Sequence, residues 1–247
     1  MDGSIILFLA AFLAGILNAI AGGGSFLTFP ALVFAGVPPV AANATSAVAV
    51  FPGYLGAVAG FRKELRQLDN SFLIRYLLAS LAGGLCGALL LLITSNEIFS
   101  FLIPWLLLFA TLLFGCGQSL LDRLRHGNPV GGKTGMVVIF AVSVYGGYFN
   151  GGLGIILLAA LLFVGMSDLH LMNGLKNGIS FAIALISVAI FSVAGLVHWK
   201  EALLMMIATT MGGYCGAVIA KKTPILVLKY LITCIGLIMS VLFFLRT

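Results

Sequence analysis

The chain has 247 residues, of which 62% are hydrophobic and 8% charged, with a mean hydropathy of +1.20 and a net charge of +6. A soluble core of this length needs a charged shell that the composition does not provide, so a water-soluble globular domain is excluded. The basic residues are scattered between apolar stretches without interleaved aromatics, which excludes a nucleic-acid-binding platform.

Cutting at charges, prolines and glycine clusters predicts ten apolar segments, at 4–21, 25–37, 40–61, 71–94, 98–121, 134–149, 152–166, 169–197, 201–220 and 224–245. The expected fold class is an all-α polytopic membrane protein in one membrane domain. Met1-Asp2-Gly3-Ser4 lacks the positive region of a secretory signal, so the first segment is expected to stay in the protein. Segments 25–37 and 152–166 are too short to span, because about 13 residues rise only about 20 Å against a hydrocarbon core of about 30 Å. They read as half-helices, re-entrant arms or parts of bent helices, and each follows a glycine cluster, Gly22-Gly23-Gly24 or Gly151-Gly152-Leu153-Gly154. Cys86, Cys116, Cys215 and Cys234 fall inside apolar stretches with no metal-ligand spacing and read as small packing residues.

The two halves match one another. Gly22-Gly23 recurs as Gly151-Gly152, Leu32 to Gly36 as Leu161 to Gly165, and Gly83 to Ala88 as Gly212 to Ala217, all displaced by 129 residues (151 − 22, 161 − 32, 212 − 83). Asn43 pairs with Asn173 between them. The expected repeats are 4–121 and 134–245, joined by a polar linker at 122–133. Five segments per half make the second repeat start on the opposite side, so the repeat is inverted. If the segments alternate sides, Arg62, Lys63, Arg66, Arg75, Arg123, Arg125, Lys133, Lys176, Lys221, Lys222 and Lys229 gather toward one face and leave Lys200 and Arg246 for the other. That makes the first of these faces cytoplasmic and places both termini outside.

A helix interrupted at glycines exposes unpaired N–H groups at a positive dipole end, which suits an anion. Gly23, Gly24 and Ser25 in the first half and Gly152 and Gly154 in the second are therefore expected at a substrate site, with close helix packing as the other reading. After each short arm comes a polar cluster, Asn43, Thr45 and Ser46, then Asn173, Lys176 and Asn177, whose groups need partners or a watery cavity at membrane depth. Lys176 attracts an anion, changes protonation, or snorkels to the interface. Asn18 and Asn150 flank the breaks and either cap helices or line the cavity. Gly83-x-x-x-Gly87 and Gly212-x-x-x-Gly216 have the spacing that lets helix backbones approach closely. Asp168, His170 and His198 read as loop-end residues.

Catalysis is not expected, because the chain has no nucleotide loop, no HExxH, no serine in a nucleophile elbow at Gly22-Gly23-Gly24-Ser25 and no pair of intramembrane acids. No cofactor or metal is expected. The run Gly15 to Ser25, leading through Pro30 to Asn43-Ala44-Thr45-Ser46, and its echo Gly146 to Gly154, resemble the TauE/SafE sulfite exporter family, also called the 4-toluene sulfonate uptake permeases. The resemblance covers nearly the whole chain. Asn173-Gly174-Leu175-Lys176-Asn177 departs from the Thr-Ser pair of many members. The resemblance implies a multi-pass protein of the bacterial inner membrane that moves sulfite, sulfonates or related organic anions with protons as the coupling ion. A secondary transporter of a small sulfur-containing anion, with a homo-oligomer open, is the leading expectation. An anion channel and a non-transporting scaffold are the alternatives.

Overall fold

The computed structural model describes residues 3–21, 23–125, 132–219 and 225–245. Gly22, Lys221, Lys222 and Arg246 lie outside the described residues, as do the side chains of Lys63, Arg123, Arg125 and Lys229. Every regular element among the described residues is an α-helix: α1 (Gly3–Ala21), α2 (Ser25–Phe34), α3 (Pro39–Gly60), α4 (Arg62–Leu65), α5 (Asn70–Leu92), α6 (Asn96–Arg125), α7 (Lys133–Tyr148), α8 (Leu153–Phe163), α9 (Leu169–Val193), α10 (Trp199–Ile219) and α11 (Ile225–Phe244).

Among the described residues three stretches, Asn70–Leu92, Asn96–Leu113 and His170–Val193, are long and apolar enough to cross a membrane, and Gly3–Asn18, Ser25–Phe34, Leu153–Phe163 and Thr233–Phe244 are shorter apolar helices. The outer surface is apolar at helical spacing. On α6 Ile98, Phe101, Trp105, Phe109 and Leu112 are all exposed, a stripe that only lipid would leave without cost. Thr111 on the opposite side of the same helix is buried and donates its hydroxyl to the Leu107 carbonyl at 2.6 Å.

Contacts between helix ends fix the direction of each element. Gly3, Ser4 and Leu7 at the start of α1 share a surface cavity with Ala35 and Val37 after α2 and with Lys200 and Glu201 at the start of α10. Val40 N–H donates to Asn96 Oδ1 at 3.1 Å, bringing the starts of α3 and α6 together at this first end of the bundle. At the second end, Gly135 near the start of α7 lies against Val164 after α8 and against Tyr76 of α5, and Gly174 of α9 lies under Phe61 and Leu65 beside α4. Thus α1–α2 and α7–α8 are hairpins, and each short arm returns to the end from which its long arm set out. Each short segment is thus the second arm of a helical hairpin, an arrangement that fits the re-entrant reading.

The short arms stop in the same way. Val37 N–H reaches Leu32 O at 3.0 Å and Gly36 N–H reaches Val33 O at 3.1 Å; Met166 N–H reaches Leu161 O at 3.0 Å and Gly165 N–H reaches Leu162 O at 2.9 Å. This double bond pattern needs a left-handed residue, and Gly36 and Gly165 have φ of 90° and 101°.

The long arms pack against the other half of the sequence, α7 against α5 and α1 against α10, while α3 meets α9 and α6 meets α11. Side-chain-free surface makes the first two seams possible. A Cβ on Gly87 would land on the Val144 carbonyl oxygen, and one on Gly212 on that of Phe12, so the backbones are in contact there. The GxxxG reading as scaffold agrees with this for Gly83, Gly87 and Gly212.

Three local expectations are corrected. The helix α4 was not foreseen, and α6 continues through Arg125 into the stretch expected to be linker. Cys86, Cys116 and Cys234 are exposed on outward faces rather than packed inside. A helix that is apolar all round carries no mark of which face meets lipid, so spacing alone did not reveal this.

Candidate functional site

At the break of the first hairpin, Gly23, Gly24 and Ser25 are buried. Phe26 N–H donates to Gly23 O and Leu27 N–H to Gly24 O, both at 3.1 Å, which starts α2 without a side-chain cap. A Cβ on Gly24 would lie 3.0 Å from Ala14 O and 3.1 Å from Asn18 Cβ, so the break rests on the last turns of α1. In the second hairpin Gly152, with φ of 70°, opens α8, and Gly154 is buried in its first turn. Tyr145 donates its hydroxyl to Gly151 O at 2.6 Å and ties this break back to α7.

The two breaks come to neighbouring residues of α3. Asn18 Nδ2 lies 3.4 Å from where a Cβ on Gly53 would be, and the Asn150 side chain shares a hydrogen bond with the Tyr54 hydroxyl at 3.3–3.4 Å, which either partner can donate. Asn150 does not cap α8, whose N-cap is Gly152 without a side-chain bond; it lines a small internal cavity described below.

The polar clusters that open α3 and α9 have different partners. Asn43 is 5% exposed and its Nδ2 donates to Tyr148 O, the last residue of α7, at 2.8 Å. Thr45 is fully buried and its Oγ1 accepts the His198 N–H at 3.1 Å; Ser46 and Thr28 share a hydroxyl contact of 2.6 Å that ties α3 to α2. In α9, Lys176 Nζ donates to Asn173 Oδ1 at 3.1 Å and Asn177 Nδ2 donates to Asn173 O at 2.8 Å. These clusters sit in the first turns of helices that start from opposite ends, so the first- and second-half polar residues form separate groups.

One small cavity joins α3, α7 and α9. Its walls are Asn43 and Ala47, the backbone of Gly146 and Gly147, Asn150, Ile183, Ala184, Ser187 and Phe191. Counted at the centre of a water molecule its volume is about 10 Å³, room for one such body. Ser187 is 2% exposed and its Oγ has no hydrogen-bond partner. By contrast Ser143 of α7, Ser192 of α9 and Ser80 of α5 return their hydroxyls to the carbonyl one turn back, at Ile139, Val188 and Tyr76. Ser187 was not singled out from the sequence, because nothing local separates it from Ser180 or Ser192 in the same apolar run.

The remaining candidates lie at helix starts. Asp168 caps α9, accepting the His170 N–H at 2.8 Å and the Leu171 N–H at 3.1 Å, and these bonds hold its carboxyl below the usual carboxylate range, Leu171 contributing most. His198 Nδ1 lies 3.9 Å from Glu201 Oε2 at the first end. No group of three or more His, Cys, Asp or Glu side chains that could hold a metal ion occurs among the described residues.

Residues 7–243 match the family model described as Sulfite exporter TauE/SafE. The chain is 32% identical over 219 residues to a probable membrane transporter protein of Haemophilus influenzae, covering 88% of this chain and 85% of that one. It is 26% identical over 237 residues to the probable membrane transporter protein ORF9 of a Sinorhizobium species, covering 95% and 90%. It is 25% identical over 238 residues to the probable membrane transporter protein YfcA of Escherichia coli K12, covering 95% and 87%. No solved structure matches. With a family match that spans nearly the whole length and an apolar helical bundle to carry it, the chain belongs to the sulfite exporter TauE/SafE family of membrane proteins.

Proposed function

We propose that this protein is a secondary transporter that moves a small sulfur-containing anion, sulfite or an organosulfonate, across a bacterial inner membrane. It works by alternating access around a site between its halves, coupled to an ion gradient. The observation that carries the reading is the meeting of two re-entrant hairpins, entering from opposite ends, at Gly53 and Tyr54 of α3. Irregular backbone at such depth is tolerated where it lines a substrate path.

The helix contacts support an inverted repeat over 4–121 and 134–245. Exchanging α1 with α7, α2 with α8, α3 with α9, α5 with α10 and α6 with α11 turns the α1–α10 contact into the α7–α5 contact. The same exchange returns α3–α9 and α6–α11 to themselves. Exposed Arg62, Arg66, Arg75 and Lys133 at the second end, against Lys200 at the first, favour a cytoplasmic second end and termini outside. The starts of α2 and α8, at Gly24-Ser25 and Gly152 to Gly154, offer the positive dipole ends for the anion, and Lys176 draws it in from the cytoplasmic side.

Uptake of labelled sulfite, thiosulfate, sulfoacetate and taurine into proteoliposomes under an imposed ion gradient tests this. Saturable uptake of one of them, reduced about tenfold or more by Lys176→Ala, is the expected result. Flux that neither saturates nor follows a gradient would make the protein a channel, and no flux above protein-free vesicles would remove the transporter reading.

A further inference from the structure

We infer that the cavity between α3, α7 and α9 binds the coupling cation, and that this cation is a dehydrated monovalent ion of the size of sodium. The inference rests on the transporter reading, and it names the ion whose gradient drives that cycle.

Size comes first. A space of about 10 Å³ takes one water-sized body and excludes a sulfur oxyanion, so it is not the anion's own place. The chemistry of the wall comes second. Asn43 has committed its Nδ2 to Tyr148 O, which leaves Oδ1 as its free polar atom, and the Ser187 oxygen is buried without a partner. Gly146 and Gly147 belong to the last turn of α7, where carbonyls lose their helical donors. Phe149 N–H turns back to Tyr145 O and Tyr148 O takes Asn43, but the Gly146 and Gly147 carbonyls accept no hydrogen bond among the described residues. Neutral oxygens gathered at the negative end of a helix dipole suit a hard cation and repel an anion.

The same wall sets the charge of the guest. It holds no carboxylate, so a divalent ion, whose desolvation cost is roughly four times that of a monovalent one because it scales with charge squared, has nothing to offset it. It holds no titratable side chain either, so a proton has no acceptor residue here and proton coupling would need another site. Phe191 and Ile183 supply the large apolar part of its wall.

Coupling follows from position. The cavity wall at Gly146 and Gly147 and the α8 start at Gly152 lie on either side of one short loop, which Tyr145 holds through Gly151 O. An ion that fills the end of α7 fixes this loop and with it the N–H groups offered to the anion, so cation and anion bind each other's preorganised state.

The test uses the full-length protein purified in detergent, melted in increasing NaCl with choline chloride holding ionic strength constant, and again with KCl. Sodium is expected to raise the wild-type melting temperature by about 5 °C at saturation. Ser187→Ala should need about tenfold more sodium for half the effect, and Ser187→Thr, which keeps the oxygen, should stay near wild type. Superimposed melts in the three salts, or an unchanged sodium response in Ser187→Ala, would overturn the inference and leave the cavity to water. In proteoliposomes a sodium gradient without a pH gradient should drive anion uptake. Saturable uptake driven by pH alone would keep the transporter and discard the sodium site. Sodium stabilisation without any anion flux would keep the site and discard the transporter.

Discussion

The openings of α3 and α9 occupy matching places in the sequence and use their polar side chains in opposite ways. Asn43 and Thr45 reach across to Tyr148 and His198, which belong to the other half. Thr209 adds a third crossing bond by donating its hydroxyl to Ala49 O at 2.7 Å. At the other end Lys176 and Asn177 bond to Asn173 on their own helix. Matching positions are therefore a latch between halves at the first end and a local polar patch at the second. In the transport cycle proposed above, bonds that differ between the two ends let one end open while the other stays closed.

The seams that both halves share give the largest expected effect. Gly87→Leu and Gly212→Leu each force a side chain onto a neighbouring carbonyl, and each should abolish the monodisperse peak in detergent. If one were tolerated, the difference between the halves would begin in the scaffold and not in the latch. Next in size, Asn43→Ala strands the Tyr148 carbonyl in a buried place and should cost about 1–3 kcal/mol in melts, whereas Asn177→Ala, whose bond is local, should cost under about 0.5 kcal/mol. Thr45→Val frees the His198 N–H for about 1 kcal/mol and should speed thiol labelling of a cysteine placed at Leu196, at the first end only. Equal labelling gains at both ends would dissolve the distinction.

The smallest effect concerns acid. The Asp168 carboxyl is held below its ordinary range by the Leu171 and His170 N–H groups, so its support of α9 is complete above the unfolded carboxylate pKa and is lost as pH falls through the lowered folded value. Asp168→Asn should flatten the part of the melting-temperature loss that appears on acidification, without changing melts at neutral pH by more than a degree or so.

Much of this arrangement can be read from the residues alone. Two segments too short to cross, each behind a glycine cluster, become the two hairpins, and the 129-residue displacement that aligns Gly36 with Gly165 aligns two identical helix stops. Gly83, Gly87 and Gly212 pack as their spacing says, while the packing of Gly216 lies outside the described residues. What stayed hidden depends on which helix faces which. Asn43 meets Tyr148 only after α3 and α7 are placed side by side, and Ser187 becomes distinctive only when its hydroxyl is seen not to turn back on its own helix. The outward cysteines were illegible for a different reason: lipid and protein interior are equally apolar, so no periodicity marks the boundary between them.

The packing of α1 against α10 has a consequence for how the protein is made. The first helix leaves the ribosome with its glycine-bearing face bare, and the helix that covers it begins only at Trp199. At about 5–20 residues per second that interval lasts roughly 10–40 s. The α5–α7 seam, between helices much closer in the chain, closes well before. The α1–α2 hairpin must therefore wait, shielded by lipid or by a membrane chaperone, until α10 has been synthesised.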